Sequence, residues 1–384
     1  MSGIAIVGGG VAGLSCAIFA ANKNVPVTVY ERKRRIGFPV RSTGGIAAHY
    51  LESSGLGFKS DWTYPLTKAI VVSPSGYRYE FEAGGKVIGY VLDHGEFERY
   101  LAEKAMDLGV KFVMPIQVKP GTIGQLLNAY DYVVGADGPY SAVRRFIGIP
   151  DEDQLNMHKG YEYWVDGSSD PVFDLPQNSI LIYFNNNIAP KGYVWFFRYK
   201  DIIKFGLGVP IAVPADPKKI LDSVARKLMP TLFKSRILGK TGGVIPTPPP
   251  LESVVKDRIA LVGDAGNLIN SATGGGIHMA LFSGRQCGLS LAEGSLRSYV
   301  RWYERSAKPV LKRWYTVKNI LYSLDNNGFD RLVRAMQGYE LRSLSPVNEI
   351  FRLLVHVMSR NPSLLVQFIA KFYLAYKIMR RGSS

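Results

Sequence analysis

The sequence predicts an α/β fold in three parts: a parallel-sheet domain, an antiparallel sheet domain inserted into it, and a C-terminal helical region. Three observations predict it. The apolar run Ile4-Ala5-Ile6-Val7 meets glycines at 8, 10 and 13 as a helix opens at Leu14, and a second apolar strand, Val25 to Tyr30, ends on Glu31. From Tyr161 to Val213 the pattern changes to aromatic and β-branched strands broken by Asp, Asn, Pro and Gly. At Arg258-Ile259-Ala260-Leu261-Val262 a buried strand returns, followed by Gly263-Asp264-Ala265 and a loop from Asn270 to Gly276 that opens a helix at Ile277. These shifts place a discontinuous Rossmann-type domain at 1–75, 94–155 and 240–296, the antiparallel sheet at 76–93 and 156–239, and the helical region at 297–384.

Each feature of the first stretch has a physical cause. Gly8 allows a tight turn, Gly10 lets the backbone approach a pyrophosphate, and Gly13 lets helix and strand pack closely. The helix N-terminus faces the anion, and Glu31, 18 residues past Gly13, is placed to accept hydrogen bonds from an adenosine ribose. Strand, glycines, helix, strand and acid in register therefore predict an ADP-containing cofactor.

Composition limits the rest. With 384 residues the chain can bury a sizeable core, and Lys plus Arg of 47 against Asp plus Glu of 31 gives a formal charge of +16. That surplus favours anionic partners: phospholipid surfaces, nucleic acids or phosphorylated metabolites. No groove of basic and aromatic residues marks a nucleic-acid module, so no nucleic-acid partner is expected. Cys16 and Cys287 both lie in apolar helical contexts and read as buried thiols, with no metal site expected. No charged n-region precedes the first strand and no run of 18 uncharged apolar residues occurs, so neither signal peptide nor membrane span is expected.

Along the chain, Arg32-Lys33-Arg34-Arg35 leads into a loop, Arg41-Ser42-Thr43-Gly44-Gly45, which reads either as a solvated basic loop or as a cofactor contact. Residues 78–93 alternate as strands, Asp93 or His94 caps a helix over Gly95 to Leu108, and Lys111 to Val118 reads as a short strand. Asp137-Gly138 closes another strand and either meets a phosphate-bearing ligand or is a structural turn. A helix is expected over Ala215 to Phe233. Three successive glycines, Gly274, Gly275 and Gly276, leave bare N–H groups at a helix start, and Asp264 can accept from sugar-like hydroxyls. A site built from both ends of the chain suits FAD better than NAD, because an extended flavin needs contacts along its ribityl chain as well as at its ADP end.

The helical end is basic, with fifteen Lys or Arg against five Asp or Glu from Arg301 onward. Beyond Asn361-Pro362, Leu365, Phe368, Ile369, Phe372, Tyr376 and Met379 share one helical face, which either packs on the domain or lies in a membrane interface.

Three segments together resemble the p-hydroxybenzoate hydroxylase class of FAD proteins: Gly8 to Gly13 with Glu31, Asp137-Gly138 followed by Ser141 and Arg144, and Gly263-Asp264. Within that class, Thr273-Gly274-Gly275-Gly276-Ile277 and Pro190-Lys191-Gly192-Tyr193-Val194-Trp195-Phe196-Phe197, a P-x-x-Y-x-W-x-F motif, are similar to the geranylgeranyl reductase branch. The resemblance implies an FAD-dependent oxidoreductase that saturates isoprenoid double bonds, in archaea those of digeranylgeranylglycerol phospholipids. It places Ala12, Glu31, Thr43, Gly44, Val118, Asp264, Gly276 and Ile277 at the cofactor, beside Gly8, Gly10, Gly13, Arg41, Gly45 and Gly275 of the glycine turns and loop read above, and Tyr193, Trp195 and Phe197 at the lipid. Thr43 stands where many archaeal members carry Cys, His94 where Arg is usual, and Arg198 where the aromatic motif commonly ends in Pro.

A prenyl chain offers only dispersion and apolar burial, at about 0.8 kcal/mol per buried CH₂, so an aromatic channel is a sensible receptor. No catalytic residue is assigned, although His278 and Tyr193 are candidate proton donors. The expected partners are a prenylated lipid, an anionic membrane surface and an electron donor (NADPH, NADH or ferredoxin). The location expected is cytoplasmic, at the inner face of the membrane. Flavin monooxygenase and flavin-containing lipid-binding protein are the competing functions.

Overall fold

The structure, a computed structural model, describes residues 3–151, 155–167, 175–228, 237–340 and six residues between 352 and 360. The strand Ile4–Val7 is its centre. It pairs in parallel with Val27–Tyr30 on one side and Tyr132–Gly135 on the other. The full six-stranded order is 255–256, 259–261, 132–135, 4–7, 27–30, 111–113, the first of these antiparallel to its neighbour.

Burial of this strand on both faces explains why it reads as a continuous apolar run. Ile4 and Ile6 pack with Leu14, Ala17, Leu281 and Leu291 of the helices Val11–Ala21 and Ile277–Ala292. Ala5 and Val7 face the other way, onto Ile123 and Val143. The two helices touch through glycine: a Cβ on Gly284 would lie 2.3 Å from the Ala12 carbonyl oxygen, and one on Gly288 2.5 Å from that of Cys16. This close approach sets the two glycine-rich turns side by side.

The second domain is a seven-stranded sheet in the order 237–246, 157–166, 202–210, 193–199, 179–183, 68–72, 78–82. It is antiparallel except where Ser179–Tyr183 runs parallel to Lys68–Val72. Gly45–Ala47, Gly89–Leu92 and Thr63–Leu66 form a separate three-stranded sheet between the domains.

Several expected boundaries move. Lys68–Val72 lies on the Rossmann side of the expected division at 75 yet pairs with Arg78–Glu82, because Ser73–Tyr77 is a hairpin turn. Ile237–Pro246 likewise runs past 239 as the edge of the same sheet. The strand after Lys111 stops at Val113, ahead of Pro115, which has no N–H for the ladder. The helix expected from Ala215 begins at Pro217, because Asp216 accepts from the Lys218 N–H at 2.9 Å and acts as its cap. Asp93, through the Glu96 N–H, caps the helix His94–Asp107.

The described helices of the C-terminal region, Arg297–Trp302, Lys308–Leu321 and Asn326–Met336, pack on the body of the protein. Ile320, Leu324, Phe329, Leu332 and Val333 cover Tyr79, Phe81, Val91 and Tyr199. The apolar face expected beyond Asn361 lies outside the described residues. No helix among the described residues is long and apolar enough to cross a membrane.

Candidate active site

Two clefts meet where the Rossmann domain faces the antiparallel sheet. The longer, about 390 Å³, runs from Glu31 and Val118 past Gly8, Gly10 and Ala12 to Asp264, Gly276 and Ile277. The shorter, about 170 Å³, is lined by Thr43, Gly44, Gly45, Gly275 and the aromatic trio Tyr193, Trp195 and Phe197. Arg41, Gly276 and Ile277 line both, so the clefts are continuous. Of the seventeen residues expected at cofactor or lipid, Gly13 alone lies behind the wall: a Cβ there would stand 2.0 Å from the Gly8 carbonyl oxygen. Its role is packing.

The long cleft suits an extended dinucleotide. Two helices, Val11–Ala21 and Ile277–Ala292, open into it on Gly10 and Gly276 without a side-chain cap and without an acid in the first turn. Their N–H groups and positive dipole ends are thus left for an anion such as a pyrophosphate. Glu31 sits at the far end, buried, accepting from the Gly9 N–H at 2.6 Å and the Lys33 N–H at 2.7 Å.

At the junction, burial raises the Asp264 carboxyl to about 6, against the pull of Arg144. A carboxylate in that position gains most when hydroxyl donors arrive.

The Asp137-Gly138 turn lines the long cleft and also has a structural task. Asp137 accepts from Ser141 Oγ at 2.5 Å and the Ala142 N–H at 2.6 Å, and so anchors the helix Ala142–Phe146. Arg144, fully buried, donates to Asn267 Oδ1 at 2.9 Å and the Pro139 carbonyl at 2.7 Å, tying this turn to the loop after Asp264.

Of the two candidate proton donors, His278 stacks on Tyr50 with ring centroids 4.5 Å apart and lines neither cleft. Burial, aided by His49, lowers it to about 4, so it is neutral at physiological pH. Tyr193 does line the short cleft, but its hydroxyl donates to the Thr273 carbonyl and burial raises its pKa.

Sequence reasoning passed over three charged groups at the site. Under Gly10 lies Glu98, held by Lys33 Nζ at 3.0 Å and His94 Nε2 at 3.4 Å. Beside Thr43 lies Glu162, which accepts from Thr43 Oγ1 at 2.5 Å, Trp195 Nε1 at 2.8 Å and Trp164 Nε1 at 2.7 Å. Its neighbour Lys204 is buried as well. The available signal was charge out of place: Glu162 between Tyr161 and Tyr163, and Lys204 between Ile203 and Phe205, interrupt strands that are otherwise apolar.

This architecture, with its paired glycine turns and adjoining aromatic cleft, defines the class: an α/β fold built on a Rossmann-type, FAD-binding domain. Residues 6–56 match the family model of an NAD(P)-binding Rossmann-like domain. Residues 168–245, which include the aromatic trio, match that of the geranylgeranyl reductase catalytic domain. The chain is 27% identical over 394 residues to digeranylgeranylglycerophospholipid reductase 2 of Methanopyrus kandleri, across 94% of this chain and 97% of that protein. A solved geranylgeranyl bacteriochlorophyll reductase-like structure from Thermoplasma acidophilum superposes with a TM-score of 0.83 at 21% identity, covering 96% of this chain and 98% of the other. The fold extends to Klebsiella pneumoniae HpxO, complexed with FAD and uric acid, with a TM-score of 0.66 at 15% identity over 93% of this chain and 97% of that one. The chain is thus similar to digeranylgeranylglycerophospholipid reductases along nearly its whole length.

Proposed function

We propose that this protein is an FAD-dependent reductase that saturates the double bonds of geranylgeranyl chains on archaeal-type membrane lipid precursors. The observation that carries it is the continuity of the two clefts: a dinucleotide groove ends at Thr43 to Gly45 and Gly275 to Ile277, where the wall of Tyr193, Trp195 and Phe197 begins. When bound, the reduced flavin supplies hydride to one carbon of the alkene.

The chain's own residues bind, orient and exclude water. Glu31 and Val118 would flank the ADP end, the capless N-termini at Gly10 and Gly276 would face the pyrophosphate, and Asp264 would take sugar-type hydroxyls. The aromatic trio holds an apolar chain against the flavin end of the groove, where reacting atoms must come within about 3 to 3.5 Å. In one anaerobic experiment the dithionite-reduced protein is mixed with a geranylgeranylated glycerophospholipid. Flavin reoxidation with loss of double bonds by mass spectrometry is expected. Oxygen-dependent hydroxylation would instead make the protein a monooxygenase, and retention of lipid with no flavin change would make it a carrier.

The finer reading is peripheral association with an anionic membrane, the phosphate head group lying at the basic mouth while the tails enter. The charge of +16 supports it. Co-sedimentation with anionic liposomes that weakens with salt is expected, and protein left in the supernatant at low salt would sink it.

A further inference from the structure

Saturating a double bond takes a proton as well as a hydride, and this inference rests on the reductase reading just given. Few groups lining the short cleft can supply that proton. The Tyr193 phenol is committed to the Thr273 carbonyl and made less acidic by burial, and the Tyr161 ring packs edge-on against Tyr163. Hydroxyls such as that of Thr43 are weak acids that need a stronger acid behind them. Glu162 is the one carboxyl group among the described residues lining this cleft.

Its placement fits the task. Glu162 is 2% exposed, on the strand Met157–Asp166, and Thr43 Oγ1 lies 2.5 Å from its Oε2, with both residues on the cleft wall. The indole N–H groups of Trp195 and Trp164 take its two oxygens at 2.8 and 2.7 Å. Such donors stabilise a carboxylate left behind after a proton departs. We propose that Glu162 is the proton reservoir of the reaction and that the Thr43 hydroxyl hands its proton to the alkene.

The alkene gains two electrons and one hydrogen as hydride from the reduced cofactor. The Thr43 O–H breaks as a C–H bond forms on the other carbon, and the Glu162 O–H breaks as the Thr43 hydroxyl is restored. Glu162 ends as a carboxylate facing two indole N–H groups and regains its proton from solvent in the next cycle. In the open cleft Glu162 accepts from Thr43, Trp195 and Trp164, so on this proposal a proton enters with the lipid and the Thr43 hydroxyl turns to accept from Glu162. The groups that oppose or favour this are Lys204 on the neighbouring strand, Arg41 on the glycine loop, and Asp93, which acts on Lys204 together with Glu162. Thr241, paired with Glu162 across the edge strand, carries no charge.

Two measurements test it. The oxidised holoprotein, in weak buffer with a pH-indicating dye, is titrated with a geranylgeranylated glycerophospholipid in detergent micelles. One proton taken up per lipid bound is expected for the wild type and none for Glu162→Gln. In anaerobic single turnovers, Glu162→Gln and Thr43→Val should slow lipid-dependent reoxidation by about 10²-fold or more, while Thr43→Ser restores it. Should Glu162→Gln fail to fold, Thr43→Val, which replaces only a hydroxyl, carries the kinetic test. Equal proton uptake in Glu162→Gln, or a wild-type rate in Thr43→Val, overturns the proposal. A reduced wild type that the lipid does not reoxidise overturns instead the reading beneath it.

Discussion

Lys204 Nζ donates to the Thr43 carbonyl oxygen at 2.7 Å, so a buried ammonium in the antiparallel sheet holds the glycine loop of the other domain. The same nitrogen reaches the Leu92 carbonyl at 2.9 Å. Burial lowers its pKa, with Glu162 and Asp93 pulling the other way. The head of one side chain thus ties the glycine loop that lines both clefts to the sheet that carries the aromatic wall.

Replacing that residue should loosen the loop. Lys204→Met keeps the apolar stem but leaves two buried carbonyls without a donor, at about 1–3 kcal/mol each. The expected outcome is a lower urea midpoint together with weaker FAD retention on a desalting column. An unchanged midpoint would mean that the carbonyls find other partners.

Acid stability should depend on Glu98. Burial pushes this carboxyl up, but hydrogen bonds and charges from His94 and Lys33 outweigh it and hold it at about 2, against a usual 4.5. A lowered acid stabilises the fold above its unfolded value and loses that contribution as pH falls from about 4.5 toward about 2. The loss is at most about 3 kcal/mol. Chemical unfolding across this range should show the slope in the wild type and a flatter one in Glu98→Gln.

Asp264 should make cofactor affinity pH-dependent. With its carboxyl raised to about 6 in the open cleft, the neutral form accumulates as pH falls below that value. A neutral acid accepts hydrogen bonds more weakly than a carboxylate, so FAD should bind less tightly below about pH 6. The sign for the cofactor-free protein is opposite. Its stability should decline as pH rises from the ordinary 3.8 through about 6, because the empty cleft resists the charge. Asp264→Asn should remove both trends, read by quenching of flavin fluorescence and by melting of the apoprotein.

Gly206 should tolerate no side chain, whereas Gly243 should. A Cβ on Gly206 would stand 2.5 Å from Cε2 and Cζ2 of Trp195, while one on Gly243 meets nothing within 4 Å. Gly206→Ala must displace an indole that is bonded to Glu162, at about 1–3 kcal/mol. The expected result is a red shift of tryptophan emission and loss of lipid-dependent flavin reoxidation, with Gly243→Ala as the silent control for stability.

Much of this protein is local and therefore legible. The Rossmann turn follows from residues 4–31, because a continuous buried strand, Cβ-free turns and a capless helix start are short-range requirements. The second glycine turn and the aromatic strand Tyr193–Tyr199 were visible for the same reason. Domain limits were less so, since whether Lys68–Val72 belongs to one sheet or the other depends on a partner, Ser179–Tyr183, more than a hundred residues away.

The charged anchors belong to the tertiary structure alone. Nothing near Thr43 in the chain indicates that Glu162 and Lys204 hold it, and nothing near Gly10 indicates Glu98, because buried charges are satisfied by whatever the fold brings close. The same holds for His278: beside a glycine motif in sequence, it packs on Tyr50 and lines neither cleft. Sequence by itself determined which backbone turns can face a cofactor, since that is a matter of local sterics. The tertiary structure decided which side chains reach the cleft and which protons they can move, since burial and charge pairing are set by residues far apart in the chain.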